Sequence, residues 1–117
     1  MSGRTLITKV AGVSYEDRQS IIAGLRGNEP CRIVPEPENK FDPNALAVHV
    51  ATDDGVKHVG FVPRELAAQI APLLEGEAVM VRLHSITGGF ELDDGEMANY
   101  GLQIVVELPP DEQQASH

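Results

Sequence analysis

Asp42, Asn39 and Phe41 offer the most concentrated chemistry in the chain. They set a carboxylate, a carboxamide and one of only five aromatic rings side by side in Glu36-Pro37-Glu38-Asn39-Lys40-Phe41-Asp42-Pro43-Asn44-Ala45. At neutral pH a carboxylate only accepts hydrogen bonds, so it welcomes a hydroxyl and repels a phosphate, while a ring offers a face for stacking. Pro35, Pro37 and Pro43 fix φ and push the residue before each toward extended or turn geometry. Asn39, Asp42 and Asn44 can bond back to nearby backbone and hold a turn. The stretch reads as a stiff platform between two strands. The plainer alternative is a well-made connector whose polar groups satisfy their own backbone.

Other reactive groups point to no enzyme and to no metal or other cofactor. His49 and His58 can face each other across a hairpin, but no third ligand is in view, so ordinary sheet histidines are the better reading. Glu91, Asp93, Asp94 and Glu96 lack the spacing of a calcium-binding loop and read as a solvated turn. Cys31 is the single cysteine. It excludes an internal disulfide and a cysteine zinc cage, and reads as a core residue. Neither a nucleophile triad nor a Gly-x-x-x-x-Gly-Lys-Ser/Thr phosphate loop is present.

The elements that must position the platform follow from periodicity. Residues 4–13 alternate as a first strand. A short helix follows, with Ser14 and Asp17 at capping-box spacing, Ile21, Ile22 and Leu25 as its apolar face, and Gly27 as its stop. Residues 31–34 form a second strand. Residues 45–51 alternate with Leu46, Val48 and Val50 on one side and Ala45, Ala47 and His49 on the other. Asp53-Asp54-Gly55 turns the chain into a partner strand over 57–62. Pro63 opens a second helix with Leu66, Ile70, Leu73 and Leu74 buried; Pro72 should kink or restart it, and Gly76 ends it. Residues 78–86 and 100–108 are the last strands.

The order predicts a mainly β fold: a small, partly closed antiparallel barrel of about six strands with two helices over its openings, similar to the OB architecture. One domain is expected over residues 4–108, followed by a disordered acidic tail over 109–117.

The 117 residues carry a formal net charge of −9, which argues against a general nucleic-acid binder. The distribution is uneven: residues 1–88 hold all nine Lys and Arg against eleven acids, and residues 89–117 hold seven acids and no base. The body is therefore close to neutral and can hold a local basic patch. No apolar run is long enough for a bilayer and no secretory signal is evident, so a soluble, cytoplasmic chain with no membrane partner is expected.

Four separated blocks resemble the HIRAN domain family: Val10-Ala11-Gly12-Val13-Ser14-Tyr15-Glu16-Asp17-Arg18-Gln19, the platform Glu36-Pro37-x-Asn39-x-Phe41-Asp42-x-Asn44-Ala45, Val59-Gly60-Phe61-Val62-Pro63-Arg64-Glu65-Leu66-Ala67, and Tyr100-Gly101 before an apolar strand. The resemblance covers nearly the whole chain, with the platform the most specific block. It implies a modified OB-like barrel that binds the 3′ end of single-stranded DNA. Such domains are found on SWI/SNF-type ATPases that act at stalled replication forks, and alone in bacteria. Under it, Asp42 matches the acid that accepts a hydrogen bond from the terminal 3′-hydroxyl, and Asn39 a polar residue beside that end. Tyr15 matches an aromatic that stacks on a base. Phe41 falls where the family has a tyrosine, and Phe61 where a histidine is known in the eukaryotic group. Arg18, Lys40 and Arg64 are the nearest phosphate partners. Ser14 and Glu16 stand where the eukaryotic DNA binders place a basic residue and a second aromatic. The alternative is a protein-interaction or regulatory module that keeps the barrel without the DNA groove.

Overall fold

The computed structural model describes residues 4–96 and 98–108; the tail expected over 109–117 lies outside them. Six strands and two helices follow in the order β1 (Arg4–Lys9), α1 (Glu16–Ala23), β2 (Cys31–Pro35), β3 (Leu46–Thr52), β4 (Gly55–Phe61), α2 (Arg64–Leu74), β5 (Val79–Thr87) and β6 (Gly101–Leu108). All pairings are antiparallel, in the sheet order β1-β6-β5-β2-β3-β4.

The curvature comes from β5. Its first residues, Val79 to Val81, pair with β2, and from Arg82 onward it pairs with β6. The two pairings use opposite edges of β5 and scarcely overlap along it, and the irregularity between Leu83 and Ser85 bends the strand. The expected closure into a barrel is not found. Among the described residues the two sheet edges are bridged at one point, just past β1, where Ala11 N–H donates to Phe61 O at 2.7 Å and Phe61 N–H to Ala11 O at 2.9 Å. The physical reason lies in Gly12, whose φ of +72° turns the chain away before β1 can run on beside β4. The first strand ends at Lys9 rather than Val13, although Val10 N–H still donates to Leu102 O at 2.8 Å.

One core fills the concave side. Ile33, Leu46, Val48, Val50, Val59, Ile104 and Val106 are fully buried from the strands, joined by Ile22 from α1 and by Ala67, Ile70 and Leu74 from α2. Each large aliphatic among them contributes about 1.5–3 kcal/mol of burial. Asp53 and Asp54 turn the β3–β4 hairpin, as the sequence predicts.

Both helices depart from expectation at their ends. Tyr15, not Ser14, occupies the N-cap of α1 and makes no side-chain cap bond; the helix stops at Gly24 rather than Gly27. The helix α2 runs through Pro72 to Leu74 without restarting, and Glu75 in the left-handed region ends it just before Gly76. Pro72 costs the helix only its own N–H bond back to Ala68, four residues earlier, and the helix ends two residues later. No helix among the described residues is long and apolar enough to cross a membrane.

Candidate nucleic-acid interface

The platform is a pair of turns tied off by its own side chains. Asn39 N–H donates to Glu36 O at 3.0 Å, Ala45 N–H to Asp42 O at 3.0 Å, and Glu36 N–H to Ala45 O at 2.9 Å, which closes the loop at its base. Asn39 Oδ1 accepts from the backbone of Phe41 at 2.9 Å and of Asp42 at 3.1 Å, and its Nδ2 donates to Glu36 Oε1 at 3.0 Å. The amide of Asn39 is thus engaged inside the loop. Asp42 Oδ1 accepts from Asn44 N–H at 2.9 Å, which leaves Oδ2 turned toward Arg64 Nε, 3.9 Å away. The acid is only 18% exposed and Arg64 is 79% exposed, so this is a loose pair that a ligand can reorganise.

Opposite the platform stands the turn before α1. Arg18 Nη1 donates to Gly12 O at 2.7 Å. Its guanidinium lies over the Tyr15 ring at 4.7 Å and over the Phe61 ring at 5.7 Å. Gly12 leaves room for it, since a Cβ there would come within 3.1 Å of Arg18 Nη1. Gln19 fixes the turn from behind. It donates from Nε2 to Val13 O and Tyr100 O at 2.7 and 2.9 Å, and its Oε1 accepts from Tyr100 N–H at 2.7 Å.

The floor between these walls depends on two features of β4. Val48 pairs with Gly60 and His49 with His58, so Val59 is an extra residue, a bulge. The bulge reverses the alternation, and His58 and Phe61, three apart, emerge on the same outer face with ring centroids 4.8 Å apart at 82°. Gly60 is the close approach: a side chain there would overlap the Ala11 carbonyl oxygen and lie 2.6 Å from Val10 Cγ1.

Together these parts enclose an open groove of about 530 Å³. Seven of the eight residues singled out in the sequence line it: Tyr15, Arg18, Asn39, Phe41, Asp42, Phe61 and Arg64. Lys40 is on the platform but does not line it. Phe41 stands 89% exposed at the rim, an apolar ring held in water. Ala11, Gly12, Ala45 and Val62 complete the lining. A second groove of about 470 Å³, between residues 27–30 and β5, has no aromatic ring.

Sequence reasoning missed Gln19 as the clamp on this wall, Gly60 as the contact that lets the walls meet, and Glu36 as the partner of Asn39. Only Gly60, a glycine inside a strand pattern, carried a signal that could have found it.

One group beside the groove has a displaced pKa value. Burial lowers that of His58, and the charge of Arg18 adds to the effect against the raising influence of the Gly60 carbonyl. Because a carbonyl only accepts, His58 Nε2 must donate to Gly60 O at 2.8 Å, which places the free lone pair on Nδ1. Away from the groove, burial pushes the thiol of Cys31, on the core side of β2, up to about 12, so it is no nucleophile near neutrality. No cluster of three metal-ligating side chains occurs among the described residues.

No curated protein and no solved structure matches the chain. The family model of the HIRAN domain matches residues 4–92, a span that contains every residue lining the groove. HIRAN domains are generally nucleic-acid-binding modules. With three quarters of its length matched from β1 to beyond β5, the chain belongs to the HIRAN domain family.

Proposed function

We propose that the groove captures the 3′-hydroxyl end of single-stranded DNA, as a binding module without catalysis of its own, in the cytoplasm and in a repair or replication-fork setting. The observation that supports this reading is the convergence of a half-buried acid, three rings and two cations on one crevice. Asp42 Oδ2 accepts the terminal hydroxyl and repels a terminal phosphate. Tyr15, Phe41 and Phe61 provide faces for bases, each contact worth about 1–3 kcal/mol. Arg18 and Arg64 meet the phosphates next to the end. Asn39 acts by holding Phe41 and Asp42 in place. On this reading the curled sheet is an OB-like barrel left open along one seam. The exposed Phe41 ring favours a second reading, a protein-interaction module that docks an apolar partner residue at the rim.

Fluorescence anisotropy at low salt with 3′-hydroxyl and 3′-phosphate oligonucleotides separates the two. The hydroxyl end should bind at least tenfold tighter, a difference of about 1.4 kcal/mol. Asp42→Asn keeps the oxygen that Asn44 N–H needs and should erase the preference. Equal affinity for both ends in the wild type removes end recognition.

A further inference from the structure

Beyond the groove, the outer sheet face carries a line of side chains that end capture does not use. Met80, Arg32, His49 and His58 are direct cross-strand partners on β5, β2, β3 and β4. Directly paired residues point to the same face, and their inward neighbours Cys31, Ile33, Val48, Val50, Val59 and Val81 form the core. Three interstrand steps make a row about 14 Å long. The His49 and His58 rings sit 5.5 Å apart, and His58 stands edge-on to Phe61 in the groove, so the row runs without a break into the site. Met80 and Val56, 60% and 61% exposed, form apolar shoulders beside it.

We propose that the row Arg32–His49–His58 is a second contact that carries the single strand away from the groove across the sheet. The proposal rests on the end-capture reading and extends it to the nucleotides behind the end. Three features point to nucleic acid. The row contains a guanidinium and the His49 imidazole, planar groups that donate to phosphate at their edges and stack on bases with their faces, and the His58 ring, whose N–H is held by Gly60 O and which offers its face. It contains no carboxylate, and Arg32 makes no ion pair among the described residues. The charged and titratable groups facing His58 are Arg18, His49 and Glu36, so a single acid opposes two cationic or imidazole groups there. A row with one permanent cation suits one strand; a duplex needs several converging cations.

The test uses the full chain, 3′-hydroxyl oligonucleotides of about 4 and about 10 nucleotides, and the variants Arg32→Ala, Arg32→Glu and Asp42→Asn. Arg32 is exposed, so its variants should fold, which circular dichroism checks. The wild type should bind the longer oligonucleotide about tenfold tighter, and Arg32→Glu should abolish that gain while leaving the short one unchanged. Arg32→Ala should also make the salt dependence of long-oligonucleotide binding shallower by about 0.7 in the log–log slope. Equal affinity for both lengths in the wild type, equal losses on both in Arg32→Glu, or no oligonucleotide binding at all overturns the proposal. So does a protein dimer that Arg32→Glu dissolves without touching oligonucleotide affinity. Binding of the long oligonucleotide through Arg32, with none of the short one and no effect of Asp42→Asn, upholds the row and sinks end capture instead.

Discussion

Two of the polar loops that join strands in this protein are built in opposite ways. The platform between β2 and β3 is internally saturated: Asn39 serves two backbone N–H groups and Glu36, and Asp42 serves Asn44. The acidic arm between β5 and β6 is tied mainly by backbone, through Ala98 N–H to Phe90 O at 2.9 Å and Leu92 N–H to Glu96 O at 2.7 Å, with Asp94 Oδ1 capping Glu96 N–H at 3.0 Å. All four acids of the arm are exposed, and none pairs with a base among the described residues. Polarity alone therefore does not make a site. The platform holds its acid still beside rings and cations; the arm gives its acids to water.

If that contrast is real, steric changes should cost far more on the groove side. Gly60→Ala should be the largest effect, about 3 kcal/mol, because the added methyl meets the Ala11 backbone and forces apart the Ala11–Phe61 bridge between the sheet edges. Gly95→Ala at the tip of the arm meets nothing within 4 Å and bears only the penalty of its φ of +86°, about 1–2 kcal/mol. Urea unfolding midpoints measure both. Equal losses would mean that β4 yields freely and the groove is no tighter than the arm.

A polar pair of changes sharpens the comparison at lower cost. Asn39→Ala strands two backbone N–H groups and should destabilise by about 1–3 kcal/mol, with disorder at Phe41. Asp94→Ala removes one exposed bond and should stay within about 0.5 kcal/mol. Chemical denaturation gives both values, and hydrogen exchange at the Phe41 and Asp42 amides reports the local loosening. A mild Asn39→Ala would show that the prolines alone hold the platform.

How much of this was legible in the sequence follows the range of the forces. Strand alternation and turn residues are local, so Leu46, Val48 and Val50 could be assigned to the core side and Asp53-Asp54 to a turn. The stiffness of the platform was legible for the same reason, because Pro37, Pro43 and Asn39 act within a few residues. What failed was non-local. Closure depended on one glycine at position 12 and on how far β5 bends between two partners, neither of which periodicity encodes. The bulge at Val59 moves Phe61 to the outer face by adding a single residue, so simple alternation misplaces it. Gln19 reaches Tyr100 across 81 positions, and nothing local marks it. The capping box failed because Ser14 lies one residue too early: the N-cap falls on Tyr15, whose ring is held against Arg18.

The smallest predicted effect depends on pH and belongs to the groove side alone. In the folded protein His58 has a pKa below its ordinary value, because burial and Arg18 oppose a second proton on its ring. Above the unfolded value of about 6.5 both states are neutral and the contribution to stability is fully present. As pH falls below that point the unfolded chain takes up the proton first, so stability drops; the drop ends once the folded ring is protonated as well. The loss as pH falls below neutrality should be small, since the ring is only partly buried. Thermal melts across this range should show it in the wild type and in Asp94→Ala, and should lose this component in His58→Gln. If the arm variant flattens the profile and His58→Gln does not, the titrating group lies on the arm, and the division of the molecule into a rigid side and a solvated side is misplaced.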